Sequence, residues 1–167
     1  MWLLSLSTVL IAPHFDTHGI TPEAVASLVK EYGPKEAVHR LADRDPADTN
    51  SMFGDYDTVL EGVASGDPRW LALVSRLDPG TDAGTAEFLR IAVAEALPKN
   101  PSGVLRFTSQ LPWFRYACGY PMIEPTKKAM RGYFARTIPA LKAVRDPALA
   151  RAKRICLTEL IKAQRTP

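Results

Sequence analysis

Four polar residues that directly precede a proline divide this chain into segments. The polar side chain can accept a hydrogen bond from the free N–H groups at the start of a helix, and proline has no N–H to leave unpaired there. Apolar residues then recur at helical spacing, and alternating strand patterns are almost absent. The sequence therefore predicts an all-α fold, with helical hairpins that stack as a short solenoid or close into a compact bundle. The four pairs are Thr21-Pro22, Asp67-Pro68, Asn100-Pro101 and Asp146-Pro147.

Residues 66–105 form the central part of this pattern. Asp67 is predicted to cap a short amphipathic helix that runs to Leu77 and ends at Asp78-Pro79-Gly80. Residues 83–97 then carry apolar side chains on nearly all sides, which is typical of a helix packed against several neighbours. Pro98 ends this second helix, and the next begins at Pro101.

This hairpin resembles a helical repeat of the HEAT type, which implies a HEAT-like arrangement for the solenoid alternative. Together with the later stretch CGYPMIEP at residues 118–125, it also resembles small secreted proteins of Gram-negative bacteria. Some of these are immunity proteins that neutralise the toxins of neighbouring cells. The resemblance implies an inhibitor that acts by binding another protein directly.

The chain of 167 residues is long enough for one domain with a core of its own, and we expect a single all-helical domain over residues 19–167. Residues 1–18 are expected to be an atypical signal-like or N-terminal apolar segment followed by a linker. The apolar run at residues 2–12 is too short to span a bilayer, which needs about twenty residues. It either forms the core of a secretory signal, with no basic residue before it, or belongs to the mature fold as a buried helix or strand.

The chain has two cysteines, Cys118 and Cys156. An even pair in an exported protein indicates a disulfide, and closing a loop of this length stabilises a fold by roughly 3–4 kcal/mol. The alternative is two separately buried thiols in a cytosolic protein. The cysteines and the N-terminal segment together favour a periplasmic or secreted location over a cytoplasmic one.

Residues 108–125 gather aromatic side chains around an arginine, with three prolines that restrict the backbone. Tryptophan, tyrosine and arginine dominate protein interfaces because they supply a large contact area and a polar tip. We therefore predict a protein-binding site here, although the same aromatic residues would also fill a core beneath the loop. The predicted binding residues are Trp113, Phe114, Arg115, Tyr116 and Tyr120.

No residue pattern indicates catalysis or a bound cofactor, and the sequence favours a protein that is not an enzyme. His14, Asp16 and His18 would project from one face of an extended segment and could bind zinc in a metal-dependent hydrolase. A linker explains these residues better, because no further ligand or base accompanies them. We therefore expect no metal site.

Charge is divided unequally along the chain. Residues 1–98 hold 7 Lys and Arg against 15 Asp and Glu, whereas residues 99–167 hold 14 against 3. The two halves either attract each other within the fold or present charged surfaces to a partner. Nucleic acid is a less favoured partner than protein, since no DNA- or RNA-binding motif is present. The sequence leaves the oligomeric state open, including a homo-oligomer.

Overall fold

The computed structural model describes residues 19–45, 47–49, 51–121 and 126–165. Within these ranges the chain forms helices and turns and no strand, which confirms the predicted all-α fold. Residues 1–18, with the signal-like segment and the cluster of His14, Asp16 and His18, lie outside the described residues. The helices are α1 (Pro22–Leu41), α2 (Tyr56–Ser65), α3 (Pro68–Leu71), α4 (Val74–Leu77), α5 (Ala83–Ala96), α6 (Pro101–Thr108), α7 (Phe114–Ala117), α8 (Lys127–Ala143) and α9 (Ala150–Arg165).

The polar residues of the four pairs Thr21-Pro22, Asp67-Pro68, Asn100-Pro101 and Asp146-Pro147 all cap helical segments. Each side chain accepts a hydrogen bond from a backbone N–H two or three residues further on, at 2.8–3.2 Å. Asp146 caps a 3-10 turn, Pro147–Leu149, that leads into α9. These residues therefore fix where the helical segments begin, as the sequence predicts.

The helix predicted to run from Pro68 to Leu77 is divided into α3 and α4. The N–H of Leu73 donates to the carbonyl of Trp70, three residues back, at 3.0 Å. This tighter bond interrupts the four-residue spacing of an α-helix. A 3-10 turn, Asp78–Gly80, follows α4 and leads into α5.

Helix α5 is the centre of the packing. It lies mainly against α2 and also contacts α6 and α7, and it buries Leu89, Val93 and Ala94 among others. Its two-sided burial agrees with the apolar pattern of residues 83–97. One continuous cluster of buried apolar residues joins α5 to helices from both ends of the described chain.

Helix α1 breaks at Gly33, whose φ of +80° lies outside the helical region. Glycine adopts this conformation without the steric cost that other residues pay. The broken region packs against the 3-10 turn Asp78–Gly80. None of the described helices is both long enough and apolar enough to cross a membrane.

Candidate protein-binding site

Cys118 and Cys156 form a disulfide, as predicted. Cys118 follows α7 directly and Cys156 lies in the middle of α9, and both side chains are fully buried. Their Cα atoms are 4.8 Å apart, within the usual range for a disulfide. The bond fastens the short helix α7, which has only four residues, to the long helix α9.

The predicted binding residues do not form one surface. Phe114 is 4% exposed and belongs to the core together with Ala117, three residues later. Three-residue spacing places these two side chains on the same, inward face of α7. The prediction that Phe114 contacts a partner is therefore corrected, because its side chain does not reach the surface.

Tyr120 is also turned inward. Its ring packs edge-on against Tyr133 at 5.4 Å and lies 5.9 Å from the ring of Phe134. Partial burial raises the pKa of its hydroxyl, which nearby Arg136 opposes. Tyr120 lines a different cleft from the one beside Tyr116.

Of the other three predicted residues, Arg115 and Tyr116 are exposed on α7, and Trp113 is half-buried directly before it. We call Trp113, Arg115 and Tyr116 the aromatic platform. Tyr116 is 56% exposed and is one of two large hydrophobic side chains that are mostly exposed among the described residues. The guanidinium of Arg115 pairs with Glu159 of α9 at 2.6 Å. Since this ion pair and the disulfide both join α7 to α9, the platform is held at two points.

Trp113 connects the platform to the central hairpin. Its indole N–H donates to the Oδ1 of Asp78 at 2.6 Å. The guanidinium carbon of Arg90 lies 5.6 Å from the centre of its ring, close enough for a cation–π contact. The tryptophan is thus fixed in orientation by two residues of the acidic half of the chain.

An open cleft of about 700 Å³ lies between the platform and the start of α5, and we call it the acidic cleft. Asp78, Asp82 and Glu87 line it opposite Trp113 and Tyr116. Asp82 caps α5, and the hydroxyl and then the backbone N–H of Thr85 hold the pKa of its carboxyl below the ordinary value. Asp82 therefore carries a negative charge near neutral pH.

Two buried polar atoms have no hydrogen-bond partner in the described part of the chain, one on the cleft residue Arg90 and one on Tyr56, which does not line the cleft. They are the buried Nε of Arg90 and the hydroxyl of Tyr56, whose side chain is fully buried. Burial, with the charges of Asp78 and Asp82, raises the pKa of the Tyr56 hydroxyl.

Sequence reasoning missed the acidic wall of this cleft. The sequence predicts Asp78 only as the end of a helix, and in the structure Asp78 begins a 3-10 turn while Asp82 caps α5. Nothing in the local sequence indicates that Trp113, 35 residues after Asp78, returns to bind it. The proline-rich loop at residues 108–125 is the sequence feature that indicates a binding site here, and it predicts only the aromatic wall of the cleft.

A second open cleft, of about 670 Å³, is lined by Lys99, Lys128, Arg136 and Tyr120, and we call it the basic cleft. It lies beside the start of α8 and includes one acidic residue, Glu95. Among the described residues, no three His, Cys, Asp or Glu side chains are placed to hold a metal ion. Comparison with protein-family models, curated proteins and solved structures finds no match for this chain.

Proposed function

We propose that this protein is a non-catalytic binding module that acts outside the cytoplasm, where its aromatic platform contacts another protein. The observation that carries this proposal is the exposure of Tyr116 beside Trp113 on a helix held by a disulfide. Large aromatic side chains are enriched at the contact points of protein interfaces. The exposed face of α7 therefore has the composition of a binding site.

The platform is also ordered before any partner binds. The hydrogen bond of Trp113 to Asp78 and the ion pair of Arg115 with Glu159 hold two of its residues, and the disulfide holds the C-terminal end of α7. Binding to a surface that is already ordered loses less conformational entropy than binding to a mobile loop. A short helix with these three supports is suited to tight recognition.

For the partner, we propose a toxin or enzyme that the protein neutralises by direct binding, as immunity proteins do. The resemblance of the hairpin and of residues 118–125 to small secreted proteins supports this proposal. The disulfide is consistent with an oxidising compartment, and the apolar N-terminal sequence agrees with export. An inhibitor of this kind needs a binding surface and no catalytic group of its own.

The test uses the oxidised full chain as bait in the extracytoplasmic fraction of its native cell. Wild type, Tyr116→Ala and Met52→Ala are compared, because Met52 is 60% exposed and lies outside the acidic cleft. We expect wild type and Met52→Ala to retain the same protein at micromolar concentration. Tyr116→Ala should bind it at least about tenfold more weakly, the loss typical of an interface hot spot.

The captured protein is then identified and its activity measured with the purified module added. Loss of that activity with wild type, and its return with Tyr116→Ala, would support inhibition by the platform. Retention of no protein by the wild-type bait would overturn the proposed function. Equal affinity of wild type and Tyr116→Ala would overturn the role of the platform.

A further inference from the structure

We propose that the acidic cleft binds the guanidinium of an arginine that the protein partner presents, an inference that rests on the proposed function. The platform supplies an aromatic wall, and the start of α5 supplies carboxylates across an open cleft of about 700 Å³. A guanidinium is planar and cationic, so it can stack on an aromatic ring and donate two hydrogen bonds to one carboxylate. The cleft offers both kinds of contact.

The carboxylates of the cleft remain available for an incoming donor. The hydrogen bonds from Trp113 and Thr85 fall on the Oδ1 atoms of Asp78 and Asp82, and an ionised carboxylate has acceptor sites for about four such bonds. Glu87 is exposed and has neither a hydrogen bond nor an ion pair with any described residue. The acidic wall thus has more acceptor capacity than the free chain uses.

The cation already present in the cleft does not neutralise this wall. Arg90 forms no ion pair within 4.0 Å of a carboxylate among the described residues, and its guanidinium lies over Trp113 instead. Three carboxylates therefore face one guanidinium, which leaves the lining with an excess of two negative charges. Charge complementarity favours a cationic group from the partner.

The exposure of Tyr116 completes the site. Since Arg90 already occupies one face of Trp113, the exposed ring of Tyr116 is the aromatic surface left for a second cation. Stacking on tyrosine favours arginine over lysine, because a guanidinium keeps its hydrogen-bond donors in the plane of the stack. The site therefore selects a planar cation next to an acidic wall.

The inference is tested with N-acetyl-arginine amide as the probe, titrated into the oxidised full chain and followed by NMR. The indole N–H of Trp113 is the reporter, because it is bonded to Asp78 inside the cleft, and its signal is assigned by its absence from Trp113→Phe. N-acetyl-citrulline amide, which has the same shape without the charge, is the matched control. We expect a saturable shift with the arginine probe in the millimolar range and none with the citrulline probe.

A pair of charge variants locates the binding. Glu87→Gln should weaken the arginine probe about two- to fivefold, the effect of one exposed ion pair. Glu61→Gln changes the net charge equally, but Glu61 lies on α2 and does not line the cleft. The Glu61→Gln variant should therefore bind the arginine probe with the affinity of the wild type. Equal weakening by both variants would overturn binding in the cleft.

The inference is overturned if the arginine probe gives no saturable shift up to about 50 mM. This concentration is above the dissociation constants expected for a single side chain. It is overturned equally if the citrulline probe binds as well. These results leave the proposed function untouched, since that function is judged by whether Tyr116→Ala loses the protein partner. Conversely, probe binding by a chain that captures no protein would support the cation site and reject the function.

Discussion

The acidic and basic clefts are similar in volume, about 700 and 670 Å³, but the side chains that remain unpaired in them differ in charge. In the basic cleft, Lys99 donates to the carbonyl of Ala64 at 2.6 Å, and Tyr120 packs against two core rings. In the acidic cleft, Glu87 is unpaired among the described residues and Tyr116 is mostly exposed. The basic cleft keeps Lys128 and Arg136 without a hydrogen bond or ion pair to any described residue, so the two clefts offer groups of opposite charge to a partner.

Different elements hold the walls of the two clefts. At the acidic cleft, Trp113 beside α7 is bonded to Asp78, and the disulfide joins α7 to α9. At the basic cleft, the hydroxyl of Tyr133 on α8 donates to the carbonyl of Ala94 on α5 at 3.0 Å. Changes that loosen α7 should therefore affect the acidic cleft first.

Removal of the disulfide should give the largest effect. Cys118→Ala combined with Cys156→Ala opens a loop of 38 residues, and we expect the free energy of unfolding to fall by about 3–4 kcal/mol. Urea unfolding measures this loss. Hydrogen exchange should show faster exchange in α7 than in α8, and an unchanged pattern in α7 would contradict the comparison.

Trp113→Phe should have the next largest effect. It removes a hydrogen bond to a charged acceptor at a half-buried position, and we expect a loss of about 1–2 kcal/mol in the free energy of unfolding. A double-mutant cycle with Asp78→Asn isolates the contribution of this contact. Strictly additive effects of the two substitutions would show that the indole and the carboxylate do not stabilise each other.

Two tyrosines give a matched pair with a smaller effect. Tyr133→Phe removes the buried hydrogen bond to Ala94 and should destabilise the chain by about 1 kcal/mol. Tyr56→Phe removes a buried hydroxyl that has no partner among the described residues, so the same measurement should show no loss or a small gain. Equal losses in both variants would mean that the Tyr56 hydroxyl is satisfied in solution.

The smallest effect concerns the pH dependence of stability. Hydrogen bonds from Thr85 lower the pKa of Asp82 below 3.8, so its stabilising contribution is complete above that pH and is lost as pH falls through the folded-state pKa. Asp82→Asn keeps a capping side chain but does not titrate. The difference in unfolding free energy between wild type and Asp82→Asn should stay constant from pH 7 to about 4.5. Below about pH 4.5 the wild type should lose stability relative to the Asp82→Asn variant.

The fold could be predicted from sequence because its signals are local. Thr21, Asp67, Asn100 and Asp146 each bond to a backbone N–H within three residues, so the helix starts depend on neighbours in the chain. The disulfide could also be predicted, because Cys118 and Cys156 are the only two cysteines in the sequence. In both cases the sequence offers few alternative partners, for the capping side chain and for the cysteine.

The candidate site could be predicted only in part. The aromatic loop was visible as a cluster of residue types, but the inward positions of Phe114 and Tyr120 depend on how α7 is turned against the core. The acidic wall depends on contact between Asp78 and Trp113, which tertiary packing alone creates. Acidic residues at helix ends are common, and their sequence does not indicate which of them face an aromatic surface.

Gly80 has a practical consequence for anyone who wishes to shorten this protein into a binding reagent. A side-chain carbon at Gly80 would collide with the carbonyl of Pro34, so the turn Asp78–Gly80 presses directly on the backbone of α1. Helix α1 supplies no residue to the acidic cleft. A truncation designed only from the residues that line the cleft would therefore delete α1. Such a fragment would lose the support that positions Asp78, so the smallest useful reagent begins before Pro22.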